Sequence, residues 1–192
     1  MVKEKDKKLQ SYGRFDPFTD RTARDIRNSM SEAFVATISA RNPAAYLNVA
    51  RQWRKQNLSP LHADYIDDRL LRYERFFDGI AADDITDPLQ QALIIWNQGL
   101  FFEFHDHLEA IWKSAIGDKR QALKGLIKAA GVYIHLEQGH LQAAQSLANK
   151  AFALLQQYRH CLTFMANPAT LLNKLKAIDP DPPRLDMVSF RD

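Results

Sequence analysis

The sequence has little of several features that would narrow its function directly. It contains one cysteine, so it forms neither an intramolecular disulfide nor a zinc site built from several thiolates. No apolar run approaches the roughly 20 residues of a membrane-spanning helix, and the best candidate is residues 92–96. The first ten residues, MVKEKDKKLQ, are charged where a signal peptide is apolar. We therefore expect a cytoplasmic protein that does not enter a membrane.

Signals for β-strands are also scarce, whereas signals for helix starts recur. The sequence shows no clear apolar–polar alternation and no Asn-Gly or Asp-Gly hairpin turn. Four times a capping residue directly precedes a proline. This favours a helix start because the cap accepts from free N–H groups and proline lacks one. These pairs are Asn42-Pro43, Ser59-Pro60, Asp87-Pro88 and Asn167-Pro168. The sequence therefore predicts an all-α fold, a compact helical bundle.

Composition divides the chain into four segments. Residues 1–18 are predicted to be a disordered basic tail, and residues 19–80 an N-terminal extension of three helices. The three helices are predicted from near Thr19 to Ala40, from Pro43 to about Asn57 and from Pro60 to about Phe77. A polar connector at 83–87 opens a helical domain over 81–178. The proline-rich residues 179–192 are predicted to lie extended over the surface.

The helical domain contains a repeat of two helical hairpins. Gln98-Gly99 and Gln138-Gly139 lie 40 residues apart, each after an apolar helix and before an amphipathic one. The second hairpin has small residues at the spacing typical of tetratricopeptide repeats, so its helices are expected to pack closely. The first has Phe104 and Ile111 at those positions, so its helices are expected to lie further apart. Two such units favour a compact bundle over an open superhelix.

Charge is distributed in blocks. Residues 81–117 hold six acidic side chains and one basic, and residues 118–176 hold eight basic and two acidic. We expect these consecutive blocks to face each other inside the fold. A protein that binds nucleic acid would instead concentrate positive charge on one accessible surface. Nucleic acid is therefore not predicted as a partner.

The most unusual stretch is residues 96–112, WNQGLFFEFHDHLEAIW. On a helix from Phe101 onward, His105, Glu109 and Trp112 share one face through i,i+4 and i,i+3 spacing. Glu103 and His107 form a second i,i+4 pair, a quarter-turn or more away.

This stretch, with residues 125–130 and Gly139-His140, resembles the DUF309 family, an all-helical domain family of unknown function. The resemblance covers roughly residues 90–156. Two positions depart from the family pattern, because Asp106 stands where the family usually has Glu and Lys128 where it usually has Gln. The resemblance implies a fold and a polar cluster, but no established reaction. The matching positions are Asn97, Gly99, Glu103, His105, Glu109 and Trp112.

Two interpretations of the cluster remain open. His105 and Glu109 are candidate ligands of a divalent metal on a helix face, with His135 of the facing hairpin a third candidate. Glu103 is a fourth. Alternatively, His105 and Glu109 are buried beneath Trp112 and hydrogen-bond each other and a backbone group where the hairpins cross. The spacing of these residues does not distinguish the two interpretations. In both of them Lys128 adds a charge beside the cluster.

The leading functional hypothesis is a non-enzymatic cytoplasmic module that binds a partner protein or assembles with itself. The alternative is a metal- or small-ligand-dependent, hydrolase-like enzyme that uses the cluster of Glu103, His105, Glu109 and Trp112. In the alternative, Glu109 is the general base or a ligand, and the sequence identifies no further catalytic residue. No cofactor is predicted, and a divalent metal is the candidate for the alternative. An enzyme predicts a concave pocket that exposes His105 and Glu109, and a module predicts that both are buried.

Overall fold

The computed structural model describes residues 14–38 and 40–188. These residues form eight α-helices and a short 3-10 turn, Arg159–Cys161, and their only β-type pairing is an isolated bridge between Met165 and Met187. The predicted all-α fold is confirmed. None of the described helices is long and apolar enough to cross a bilayer. The helices are α1 Arg21–Ile38, α2 Ala44–Arg54, α3 Pro60–Ala82, α4 Pro88–Asn97, α5 Phe101–Ser114, α6 Gly117–Glu137, α7 Leu141–Gln157 and α8 Pro168–Ala177.

The described residues fall into two compact units, divided within α3 between Tyr73 and Glu74. The sequence places its domain boundary seven residues further on, at the end of the same helix, and those limits stay a prediction. Of the predicted basic tail, residues 1–13 lie outside the described part of the chain. In residues 14–18, the ring of Phe15 stacks on Tyr65 at a centroid distance of 3.8 Å. Removal of apolar ring surface from water favours that contact.

The N-terminal unit is built around an aromatic cluster. Phe34 of α1 stacks on Tyr73 of α3 at 4.2 Å, and Tyr46 of α2 meets Tyr73 edge-on at 5.2 Å. All three rings are buried, which stabilises the unit through apolar burial and ring geometry. The predicted second helix is too long, because α2 ends at Arg54. The predicted third helix is too short, because α3 continues to Ala82.

The C-terminal unit contains the rest of α3, helices α4 to α8 and the extended residues 179–188. Trp96 lies at its centre, completely buried, with its ring edge-on to Phe101, Phe104 and Tyr133 at about 5 Å. The predicted polar connector separates α3 from α4, and Asp87 caps α4 by accepting from the N–H groups of Leu89 and Gln90. Residues 189–192 of the predicted proline-rich segment lie outside the described residues.

The four predicted caps differ in outcome. Besides Asp87, Ser59 accepts from the His62 N–H at 3.4 Å, and Asn42 accepts from the Ala44 N–H at 3.0 Å. Asn167 makes no side-chain cap bond, although α8 begins at Pro168 as predicted. The proline alone fixes the helical φ there, which explains why the start survives without the cap.

Candidate functional site

The two glycine turns of the C-terminal unit have the same backbone geometry. Gly99 and Gly139 have φ of 68° and 73°, a left-handed conformation that glycine adopts without strain. In each turn the residue after glycine donates its N–H to a carbonyl five residues back, Leu100 to Ile95 at 3.2 Å and His140 to His135 at 2.9 Å. This is the Schellman closure of a helix C-terminus. The 40-residue sequence repeat is therefore also a repeat of the backbone conformation at the turn, and Gly99 has a structural role.

The second hairpin, α6–α7, packs closely through small residues. A Cβ added at Gly125 would lie 2.8 Å from the Cδ2 of Leu155, and one at Gly131 would lie 3.1 Å from the Cδ1 of Leu147. Ala144, Ala148 and Ala151 are buried along the facing side of α7. This approach is consistent with the predicted tetratricopeptide-like packing.

Asn97 fixes the extended C-terminal segment. Its side-chain Nδ2 donates to the Leu185 carbonyl and its Oδ1 accepts from the Leu185 N–H, both at 2.8 Å. The neighbouring Trp96 indole donates to the Pro183 carbonyl at 2.8 Å. Trp96 and Asn97 at the end of α4 therefore hydrogen-bond three backbone groups of this segment. Because the segment is extended, these groups have no intrahelical partners.

Helix α5 carries its two i,i+4 pairs on opposite flanks of an apolar side formed by Phe101, Phe104 and Leu108, all buried. One pair faces inward: Glu103 is completely buried and His107 is 7% exposed. The Nε2–H of His107 donates to the Pro88 carbonyl at 2.9 Å. Burial lowers the pKa of His107 below its usual 6.5, so the ring is held neutral.

The other pair faces outward. The side chain of His105 is 30% exposed and that of Glu109 is 43% exposed, so the interpretation in which both are buried beneath Trp112 is wrong. The Nδ1 of His105 lies 3.2 Å from the Oδ1 of Asp106, and its Nε2 lies 3.7 Å from the Oε1 of Glu109. The two carboxylates therefore lie at opposite sides of the imidazole ring. One metal ion therefore cannot contact both ring nitrogens of His105 and both carboxylates at the same time.

Trp112 ends the motif against α6. The guanidinium carbon of Arg120 lies 4.0 Å from the centroid of the Trp112 ring, a cation–π contact. The same guanidinium donates to the carbonyls of Trp112, Lys113 and Ala115, which closes the C-terminus of α5. Sequence reasoning missed Arg120, because its only signal is a basic residue near a helix C-terminus.

His135 and Lys128 both lie on α6. The ring of His135 lies 5.7 Å from that of His140, and burial together with that neighbour lowers the pKa of His135. Lys128 is half-buried. Burial, followed by the charges of Lys124 and Lys150, lowers the pKa of Lys128.

The structure does not gather the predicted ligands into a metal site. Within residues 14–38 and 40–188, no three His, Cys, Asp or Glu side chains are grouped so that they could hold an ion. His135 is therefore not brought into one group with His105 and Glu109.

A cavity of about 450 Å³ opens beside the start of α4, but no motif residue lines it. Its lining residues come from the start of α4, the first turn of α6, the residues after α7 and the C-terminal segment. The concave pocket around His105 and Glu109 that an enzyme predicts is thus not this one. The lining residues are Asp87, Leu89, Gln90, Lys119, Cys161, Thr163, Phe164 and Val188.

Residues 89–147 match the sequence model of the DUF309 family, described as a domain of unknown function. The match runs from the first turn of α4 to the middle of α7, 59 of the 192 residues, and confirms the predicted resemblance. Neither the curated proteins nor the solved structures contain a match to this chain.

Proposed function

We propose that this protein is a non-enzymatic, cytoplasmic helical module that binds a partner protein or a second copy of itself. The observation that carries the proposal is the use of the motif side chains within the fold. Both ends of the Asn97 amide bond the Leu185 backbone, Gly99 forms a turn, and Glu103 is buried. Side chains committed in this way are not available to a substrate.

The outward pair is not buried as a module predicts, so it does not carry the proposal. Its geometry does not favour the enzyme either. His105 has an acidic neighbour at each ring nitrogen, and both acids come from α5 itself. Such a pair on one exposed helix face interacts like any surface ion pair, worth about 0–1 kcal/mol. A hydrolytic site would require converging groups from several elements around a bound substrate.

The test measures whether the chain forms a protein complex and whether it contains a metal. The full chain is crosslinked in its own cells and the adducts are weighed, in parallel with elemental analysis of untagged protein purified without chelator. We expect a discrete adduct of fixed mass, unchanged by Glu109→Gln, and no stoichiometric transition metal. Cell fractionation of the same samples is expected to recover the adduct with the cytoplasm.

The matched variant is His105→Ala. Because His105 is partly exposed, this substitution is expected to change the free energy of unfolding by less than about 0.5 kcal/mol. Stoichiometric metal in the parent chain, absent from folded His105→Ala, together with no adduct, would replace this proposal with the metal-dependent enzyme.

A further inference from the structure

Three lysines lie together on the outer side of the α6–α7 hairpin. Lys124 and Lys128 are four residues apart on α6 and so share one face. The close approaches of Gly125 to Leu154 and Leu155, and of Gly131 to Leu147, fix the antiparallel register of the two helices. In that register Lys128 stands opposite Lys150 of α7. We call Lys124, Lys128 and Lys150 the lysine cluster.

The lysine cluster is uncompensated within the described chain. None of its three ammonium groups has a carboxylate within ion-pair distance among residues 14–38 and 40–188, whereas Lys174 of the same unit pairs with Asp179 at 2.7 Å. The predicted facing of the basic and acidic blocks therefore gives these three lysines no ion pair within the described residues. Like charges this close raise the free energy of the folded chain, and an anionic surface laid over them removes that cost.

The acidic counterpart lies elsewhere in the same unit. Asp83, Asp84 and Asp87 of the connector are exposed. We call these three carboxylates the acidic surface. They belong to a segment with a net charge of −5, next to one with a net charge of +6.

We propose that a second copy of this chain docks its acidic surface onto the lysine cluster. The inference rests on the proposed function and names the partner. Charge complementarity selects this occupant, since both surfaces are present on every molecule and neither neutralises the other within one chain. Leu147 and Leu154 share the face of Lys150 and are half-buried, so the contact has apolar flanks that exclude water from the ion pairs.

The contact predicts how association depends on salt. Ion pairs at the edge of an interface are screened by added electrolyte, because the Debye length falls from about 10 Å at 0.1 M to about 3 Å at 1 M. Sedimentation velocity of the full chain at increasing concentration should therefore show reversible self-association in 50 mM NaCl, weakened at least about tenfold in 500 mM NaCl. The mass of the associated species shows whether the contact closes at two copies.

Charge reversal identifies the surfaces. Lys128→Glu alone and Asp83→Lys alone should each weaken self-association at least about tenfold. An equimolar mixture of the two should restore it, because each variant keeps the surface that the other has lost. The matched controls Lys55→Glu and Asp64→Lys change the same charges at exposed positions of the N-terminal unit and should leave association unchanged. Thermal unfolding shows that each variant is folded.

Two results overturn this inference. A chain that stays monomeric at every concentration and salt has no such contact, and association that ignores both reversals uses another surface. In either case a crosslinked adduct with a different protein leaves the proposed function standing. Absence of any adduct removes both.

Discussion

The turns of the two hairpins in the C-terminal unit have the same geometry, but different side chains pack around each turn. Both close with glycine at positive φ and the same pair of backbone hydrogen bonds. Around the first turn lie Trp96, Phe101 and Phe104, whereas α6 and α7 meet through Gly125 and buried alanines. The same backbone geometry at a turn is therefore compatible with two different kinds of helix packing, aromatic rings in one hairpin and small residues in the other.

The difference extends to polar groups. The first hairpin holds polar side chains with defined partners, the partly buried Asn97 on the C-terminal segment and the buried His107 on Pro88. The second has small residues inside and lysines outside. We therefore expect added side-chain volume to destabilise the α6–α7 hairpin, and lost hydrogen bonds to destabilise the α4–α5 hairpin.

The largest expected effect is overpacking at Gly125. The Cβ of a Gly125→Val side chain would lie 2.8 Å from the Cδ2 and 2.9 Å from the Cγ of Leu155, and 3.2 Å from the Cβ of Leu154. Separating α6 from α7 to admit it should lower the free energy of unfolding by about 3 kcal/mol. Urea unfolding followed by circular dichroism measures this loss.

The matched control is a helical glycine with room beside it. A Cβ at Gly79 of α3 would meet the Cγ2 of Ile94 at an ordinary 3.7 Å. Gly79→Ala should raise the free energy of unfolding by about 0.5–1 kcal/mol through helix propensity. Equal effects at both glycines would mean that close approach does not distinguish α6–α7.

The next effect is loss of the Asn97 bonds. Asn97→Ala removes both 2.8 Å hydrogen bonds and leaves the Leu185 N–H and carbonyl without their partners. We expect a loss of about 2 kcal/mol. Hydrogen exchange should show the Leu185 amide losing protection before the amides of α6.

The repeat supplies the control for that substitution. Glu137 is the residue equivalent to Asn97 in the second hairpin and is exposed. Glu137→Ala should stay within about 0.5 kcal/mol of the parent chain. A comparable loss at both positions would contradict the difference between the hairpins.

The local structure was predictable where it depends on neighbours in sequence. Gln-Gly at a 40-residue spacing predicts both turns, and Asp87-Pro88 predicts the start of α4 with its cap. The partner of Asn97 lies 88 residues away, on a segment whose path no local pattern encodes. Periodicity could therefore identify Asn97 as unusual but not say what it bonds.

The orientation of α5 shows the same limit inside one helix. Phe101, Phe104 and Leu108 indicate the inward side, and residues advance by about 100° around a helix. The pairs Glu103–His107 and His105–Glu109 then flank that side symmetrically. Tertiary packing covers the flank of His107, so the sequence-based interpretation expected burial of the wrong pair.

The last expected effect is a pH dependence of the free energy of unfolding, in which the histidines of the two hairpins differ. Burial lowers the pKa of His107 below 6.5, so below that pH the unfolded chain binds a proton that the folded chain does not. The free energy of unfolding should fall as the pH decreases below about 6.5, by up to about 1.4 kcal/mol per pH unit until the folded ring titrates. Urea midpoints between pH 7.5 and 5 measure this slope.

His107→Gln tests the source of the slope without removing the hydrogen bond, because the amide N–H can still donate to the Pro88 carbonyl and does not titrate. His135 of the second hairpin shifts in the same direction, but it is only half-buried and its neighbour His140 contributes. His135→Gln should therefore remove less of the slope than His107→Gln. The reverse order would mean that the histidine pair at the second turn, and not the buried ring of the first hairpin, sets the acid sensitivity of this unit.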